Sequence, residues 1–195
     1  PVAPFTSLEA LSASFDLRKF ARATPKFDLD ELKSVNAKLL HLFSFSDVAA
    51  RLGALGLKDA DEGFWLAVRE NLECLSDVWE WWHVCHGEIT PVIEDAAFAE
   101  KAAALLDDEA RARLAEVHQA LAAENDWTTE TLEATTKALA ERLELGLGKI
   151  AQPLRAALTG ATQSPGIFDV LALLGKEESL ARIDAQAAPA TDTQD

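Results

Sequence analysis

The segment at residues 148–182, GKIAQPLRAALTGATQSPGIFDVLALLGKEESLAR, decides the fold of this chain. Its apolar residues recur at the three- and four-residue spacing of an α-helix. Gly160 and Gly175 are typical helix stops. Ser164 and Pro165 have the residue types of an N-cap and a first helical position, so a second helix is predicted to begin there. The segment therefore predicts a helix, a turn and two further helices.

Two polar side chains in this segment are candidates for binding a nucleic acid base. Gln152 and Arg155 lie three residues apart on one face of the first predicted helix, and both are planar hydrogen-bonding groups. The free N–H groups near Gly166 and Ile167 are expected at the start of the second helix. This combination of planar groups and donors suits an unstacked base better than a metal ion or a buried core.

Composition restricts the class of protein. The 195 residues suffice for one sizeable core or two small subdomains, and they include two cysteines and no methionine. No apolar run approaches about 18 residues and no signal-peptide pattern opens the sequence, so we expect a cytoplasmic protein that does not bind membranes. Pro1 in place of a start methionine predicts that the chain is part of a longer product.

The net charge of −15 argues at first against RNA, whose protein partners are usually basic. However, residues 61–135 hold 18 acidic and only four basic residues, a net charge of −14. Residues 1–60 and 136–195 carry +1 and −2. Nearly neutral ends can bind RNA by stacking and base-edge hydrogen bonds with few phosphate contacts.

The remaining pattern is helical throughout, and it predicts an all-α fold with no sheet. The longest helix is predicted at residues 61–83, where most tryptophans are expected to pack in the core. A helix beginning at Asp28 is expected to bury a stripe formed by Leu29, Leu32, Val35, Leu39 and Leu42. A basic cluster, which is open to interpretation as a solvated loop or a phosphate-binding face, consists of Arg18, Lys19, Arg22 and Lys26.

No catalytic or metal site is predicted. Cys85 stands beside two histidines, but Cys74 is eleven residues away, about 16 Å along a continuous helix. Gly148 and Lys149 do not form a phosphate-binding loop, because Ile150 stands where serine or threonine would bind magnesium. We therefore expect no cofactor and no catalysis in this chain.

Three stretches carry a resemblance to a known family: FDLRKFARATPKFDLDELKSVNAKLLH near the start, and AQPLRAALTG and SPGIFDVLALLGKEESLARI near the end. Together they resemble the C-terminal anticodon-binding region of bacterial glutamyl-tRNA synthetases. The resemblance implies an all-helical domain that reads the anticodon of a glutamate-type tRNA. It places ATP, Mg²⁺ and the glutamate–tRNA ligase reaction in a catalytic domain outside this chain.

The same resemblance assigns roles to individual residues. Gln152 and Arg155 would bind the middle and a neighbouring anticodon base, beside a corner that receives the third base. Asn71 stands where many relatives carry arginine for the first base, so discrimination there is expected to be looser or to use Arg69. The expected RNA-binding residues are Gln152, Arg155, Ser164, Pro165, Gly166, Ile167, Asn71 and Arg69.

The expected organisation is a first helical subdomain at residues 1–126, an anticodon-reading subdomain at 127–184 and a disordered tail at 185–195. The expected partner is tRNA, with no DNA and no membrane, and the chain is expected to be a monomer. A second hypothesis remains open, in which the chain is a free-standing helical module that binds another protein through its acidic surface.

Overall fold

The computed structural model describes residues 3–19, 28–86 and 96–187, and within these ranges the chain is all-α. No strand occurs in them, which confirms the predicted fold class. In the same ranges no helix is long and apolar enough to span a membrane. The helices are α1 (Leu8–Ser14), α2 (Leu29–Leu42), α3 (Phe45–Ala54), α4 (Glu62–Val68), α5 (Val78–His86), α6 (Ala96–Ala104), α7 (Asp108–Ala122), α8 (Thr129–Arg142), α9 (Gly148–Thr159) and α10 (Ile167–Ala187).

The chain divides into two compact units, Pro1–Trp79 and Glu80–Asp195. The predicted division at residues 126 and 127 falls inside the second unit and stays a prediction. Of the predicted tail, residues 185–187 belong to α10, and residues 188–195 lie outside the described residues.

The core of the first unit forms around Trp65, which is fully buried. Its indole Nε1 donates a hydrogen bond to the carbonyl of Phe43 at 2.9 Å, so the polar atom of this large side chain is satisfied. Core packing is thus confirmed for Trp65, whereas Trp79 remains 38% exposed.

The single helix predicted at residues 61–83 is wrong. Helix α4 ends at Val68, a 3₁₀ turn follows at Arg69–Asn71, and the backbone is extended at the next residue. The carboxylate of Asp77 accepts hydrogen bonds from two successive backbone N–H groups, beginning with that of Glu73. A side chain that caps these donors starts a new helix in the middle of the apolar pattern.

The buried stripe predicted on α2 is also wrong. Leu29 and Leu42 are 56% and 58% exposed, and Leu40 is the residue of this helix that the fold buries. Val35 and Leu39 are half-buried, and helix α2 packs mainly against the 3₁₀ turn at Arg69–Asn71. Of the predicted basic cluster, Arg18 is paired with Asp16, and two members, Arg22 and Lys26, lie outside the described residues.

The second unit is built from α7, α8, α9 and α10, which enclose one apolar core. Leu114, Leu132, Leu154 and Leu171 are among its fully buried members. Both predicted helix stops are confirmed. Gly160 ends α9 in the left-handed conformation (φ 68°), and at Gly175 (φ 75°, ψ 170°) α10 is broken so that its second half turns back onto the core.

Basic side chains cap helix C-termini within the second unit. The buried Arg182 donates through Nη1 to the carbonyls of Val84 and Leu158, both at 2.8 Å, and through Nε to Glu178 at 2.6 Å. These carbonyls lie in the last turns of α5 and α9, where no helical N–H remains to bond them. Lys176 does the same for the end of α7, donating to the carbonyl of Ala122 at 2.8 Å. A cation is favoured at each of these sites by the helix dipole.

We expect Arg182→Met to lower the free energy of unfolding of the second unit by about 3 kcal/mol, because two buried carbonyls lose a charged donor. Urea denaturation followed by far-UV circular dichroism measures the change. Arg142→Met is the matched control, since that guanidinium is 61% exposed and bonds Glu116 at the surface. The control is expected to cost less than about 1 kcal/mol. Equal losses in the two variants would contradict the role given to Arg182.

Cys85 and Cys74 are both free thiols with different environments. Burial raises the pKa of the Cys85 thiol to about 11, although nearby Arg182 acts to lower it. Because folding raises the pKa of Cys85, this thiol does not reduce the free energy of unfolding below the ordinary thiol pKa. The free energy of unfolding decreases as the pH rises from there through about 11.

At mild alkaline pH we therefore expect Ellman's reagent to modify Cys74 and leave Cys85 unreacted until the chain is unfolded, because the thiolate is the reactive form. The Cys74→Ser variant isolates the second thiol. Rapid modification of that variant under native conditions would show that Cys85 is not protected.

Candidate functional site

Helix α9 carries Gln152 and Arg155, the two side chains expected to read bases. Its C-terminus is fixed by the left-handed Gly160, so the following loop leaves the helix in one direction. Pro153 is buried inside the helix and has no N–H to donate to the carbonyl of Lys149, four residues earlier. The helix persists because its apolar face is buried by the core of the second unit.

Arg155 is half-buried and is held by one hydrogen bond. Its Nε donates to the Oγ of Ser164 at 2.8 Å, which joins α9 to the loop that precedes α10. Burial lowers the pKa of the guanidinium, but an arginine in a protein remains charged at neutral pH. Among the described residues the two Nη groups of Arg155 have no hydrogen-bond partner. The outer edge of a fixed, charged, planar group is thus available to a ligand.

The predicted helix start at Ser164 and Pro165 is wrong. Helix α10 begins at Ile167, and the carbonyl of Gly166 accepts its first helical hydrogen bond, from Val170. Ser164 instead accepts the bond from Arg155 and donates its hydroxyl proton to the carbonyl of Pro165 at 2.8 Å. The serine therefore orders the loop rather than capping the helix.

Gly166 lies against the carboxylate of Asp169, and a Cβ atom at this position would collide with that group. Asp169 in turn accepts a hydrogen bond from the Oγ1 of Thr129 at 3.4 Å. A carboxylate beside the start of α10 disfavours a phosphate there. The corner suits a neutral group with N–H donors, such as a base edge, better than an anion.

Ile167 is buried in the core of the second unit, so only its backbone faces the loop. Pro165 is buried as well, while Gly166 is exposed. The structure thus joins Arg155, Ser164 and the corner residues into one loop surface, and Ile167 supports that surface from below.

Gln152 is exposed on α9 and lines a cleft of about 500 Å³ in the second unit. This cleft, called the α7–α9 cleft below, lies between the start of α7 and the first turns of α9. Arg155 does not line the cleft and faces the Ser164 loop. The two side chains predicted to act together therefore serve adjacent surfaces of one helix.

Asn71 and Arg69 belong to the first unit, where they are the last and first residues of one 3₁₀ turn. Asn71 is exposed. Arg69 is half-buried, and its Nη1 donates to the carbonyl of Phe43 at 3.2 Å. The packing of Arg69 against the first unit argues that its main contribution is to that fold. Both residues stay predicted RNA contacts.

Two basic residues of the cleft, Lys149 and Arg113, were missed by the sequence reasoning. Lys149 stands three residues before Gln152, which is the same spacing that paired Gln152 with Arg155. That signal was present in the sequence. Arg113 lies on α7, which is distant from α9 in the sequence, and no local pattern connects it with Gln152. Within the described ranges no group of three or more histidine, cysteine or acidic side chains could hold a metal ion.

Comparison with known proteins identifies relatives of the whole chain. Residues 19–187 match the family described as the anticodon binding domain. A glutamate–tRNA ligase from Elizabethkingia meningosepticum has the same fold, with a TM-score of 0.71 and 24% identity. The superposition covers 93% of this chain and 36% of that one.

Two protein relatives are closer in sequence. Glutamate–tRNA ligase 1 of Erythrobacter litoralis is 49% identical and is matched by 95% of this chain. Glutamate–tRNA ligase 2 of Novosphingobium aromaticivorans is 46% identical and is matched by 93%. The chain spans only 38% and 39% of the length of these relatives. The resemblance indicated by the sequence motifs is confirmed, and the chain belongs to the anticodon binding domain family.

Proposed function

We propose that this chain recognises the anticodon loop of a glutamate-type tRNA, as part of a longer glutamate–tRNA ligase in the cytoplasm. The observation that carries the proposal is the arrangement of Arg155, whose Nε is fixed by Ser164 and whose Nη groups are unoccupied among the described residues. A pre-positioned guanidinium edge forms paired hydrogen bonds with base acceptors at low entropic cost. Sequence-specific RNA recognition targets such edges on splayed loop bases.

The electrostatics support recognition of bases over backbone phosphates. Asp169 stands at the start of α10, and the chain as a whole carries a net charge of −15. Few phosphate contacts imply a small dependence of affinity on salt, since each neutralised phosphate releases counterions. Specificity in this domain accordingly rests on hydrogen bonds and stacking within the loop.

Aminoacylation, with its ATP and Mg²⁺, belongs in this proposal to the part of the relatives' length that the chain does not span. Lys149 lies in the first turn of α9 and not in a phosphate-binding loop, and the described residues contain no metal-binding cluster.

The test is fluorescence anisotropy of a labelled anticodon stem–loop of glutamate tRNA at low salt. We expect Arg155→Ala to weaken binding by about 1–3 kcal/mol, the usual worth of a paired contact to a base edge. Arg155→Lys is expected to weaken it nearly as much, because lysine keeps the charge but loses the planar group.

Arg142→Ala serves as the control for charge, since it removes one exposed arginine from α8 of the same unit. Changing the loop bases is expected to reduce the affinity of the native chain and to matter less in Arg155→Ala. Binding that ignores both the loop sequence and Arg155 would reject the proposal.

A further inference from the structure

We propose that α1 and the turn after it form a docking face for the part of the longer ligase that lies outside this chain. This face, called the α1 face below, consists of Leu8, Leu11, Phe15 and Leu17. The inference rests on the proposed function, which makes this chain part of a longer ligase, and it concerns the first unit. The α7–α9 cleft and Arg155 belong to the second unit.

The α1 face is apolar and strongly exposed. Leu8 and Leu17 are 77% and 75% exposed, Phe15 is 59% exposed and Leu11 is 48% exposed. Leu8 and Leu11 are three residues apart, so they lie on the same side of the helix. Among the described residues, the exposed large apolar side chains all belong to the first unit. An apolar surface that is concentrated in this way indicates a contact with another protein surface.

Helix α1 also needs such a contact for its own stability. It has only seven residues, and all of them are exposed. Isolated helices shorter than about 12–15 residues are marginally stable in water, and packing of the apolar side supplies most of the stability of a helix in a protein. Ser7 caps the first turn by accepting a hydrogen bond from the N–H of Ala10 at 3.1 Å, but one cap does not replace packing. A surface that covers the α1 face would therefore stabilise the helix.

The shape of the α1 face suits a protein side chain better than a separate ligand. Leu11, Phe15 and Lys19 are among the residues that line a recess of about 250 Å³. Small-molecule sites usually have volumes of about 300–1,000 Å³ and enclose most of the ligand. A recess below that range can instead receive an apolar side chain from a docked protein surface.

The comparisons with relatives indicate which surface covers the α1 face. The match to the anticodon binding domain begins at residue 19, so α1 lies outside that domain. The chain spans only 38% and 39% of the length of the two ligases described above, which leaves most of such a ligase available for the contact. In the proposed function that part belongs to the same polypeptide. The covalent link raises its effective concentration at the α1 face.

The extent of the α1 face favours a covalently linked partner over a second copy of the chain. Stable interfaces between separate proteins bury about 800 Å² on each partner, with roughly 20–30 residues a side. The α1 face consists of four side chains and is much smaller. Two copies, each with a net charge of −15, would also repel each other. A contact within one polypeptide does not need that area, because the link already holds the two surfaces together.

Hydrogen–deuterium exchange of the peptide that contains α1 tests the proposal, in the isolated chain and in the full-length ligase that contains it. Leu11→Gln removes apolar surface from the α1 face and keeps a residue that favours a helix. Leu66→Gln is the matched control, because Leu66 is 47% exposed and lies on α4 of the same unit. Analytical ultracentrifugation gives the oligomeric state of each sample.

We expect the α1 amides to exchange at least about tenfold more slowly in the full-length ligase than in the isolated chain, because docking stabilises the helix. Leu11→Gln should remove most of that difference, while Leu66→Gln preserves it. Rapid exchange in the full-length ligase would overturn the docking face, and so would slow exchange in the isolated monomer. Slow exchange that appears only when the isolated chain dimerises would assign the face to a second copy, which also overturns the proposal.

The anticodon stem–loop separates this inference from the proposed function. Its binding to the isolated chain, measured by anisotropy, should be the same for the native sequence and for Leu11→Gln. Weaker binding by Leu11→Gln would assign the α1 face to RNA and reject the docking. Normal binding with rapid α1 exchange in the full-length ligase would reject the docking face alone. Binding that ignores the loop sequence, together with slow α1 exchange in the full-length protein, would reject the proposed anticodon recognition alone.

Discussion

The second unit depends on the hydrogen bonds that the buried guanidinium of Arg182 donates. It reaches across 98 residues of sequence to the carbonyl of Val84 and across 24 to that of Leu158. Both acceptors lie in the last turns of helices, so one side chain fixes the ends of α5 and α9 against α10. Because α9 also carries Gln152 and Arg155, this contact near the end of the helix helps to set the position of both.

The fold class and the helix stops were readable from the sequence because they depend on local chemistry. Gly160 and Gly175 adopt positive φ values that other residues disfavour, and glycine at these points is itself the signal. The break inside residues 61–83 was not readable, since the apolar pattern continues through it and the cause is the side chain of Asp77. The prediction that the leucines of α2 are buried was wrong for a similar reason. Periodicity shows that these leucines share one face of the helix, but it does not show whether another element covers that face.

In the candidate site, too, the features that depend on local sequence were predictable, and the contacts between separate elements were not. Gln152 and Arg155 stand out by type and spacing on one helix, and the structure keeps them on α9. The bond from Arg155 to Ser164 depends on how the loop folds, so the sequence placed that serine at a helix cap instead. Arg113 joins the same region from another helix, and no local pattern connects residues so far apart. Contacts between helices are what sequence reasoning on a single chain does not supply.

Helix α10 also has a consequence for the order of folding. Its partners, including α5, α7 and α9, all precede it in the sequence, and its residues Lys176, Arg182 and Ile183 complete their caps and core. During synthesis, α10 leaves the ribosome after all the helices against which it packs. The second unit should therefore stay incompletely packed until that helix emerges.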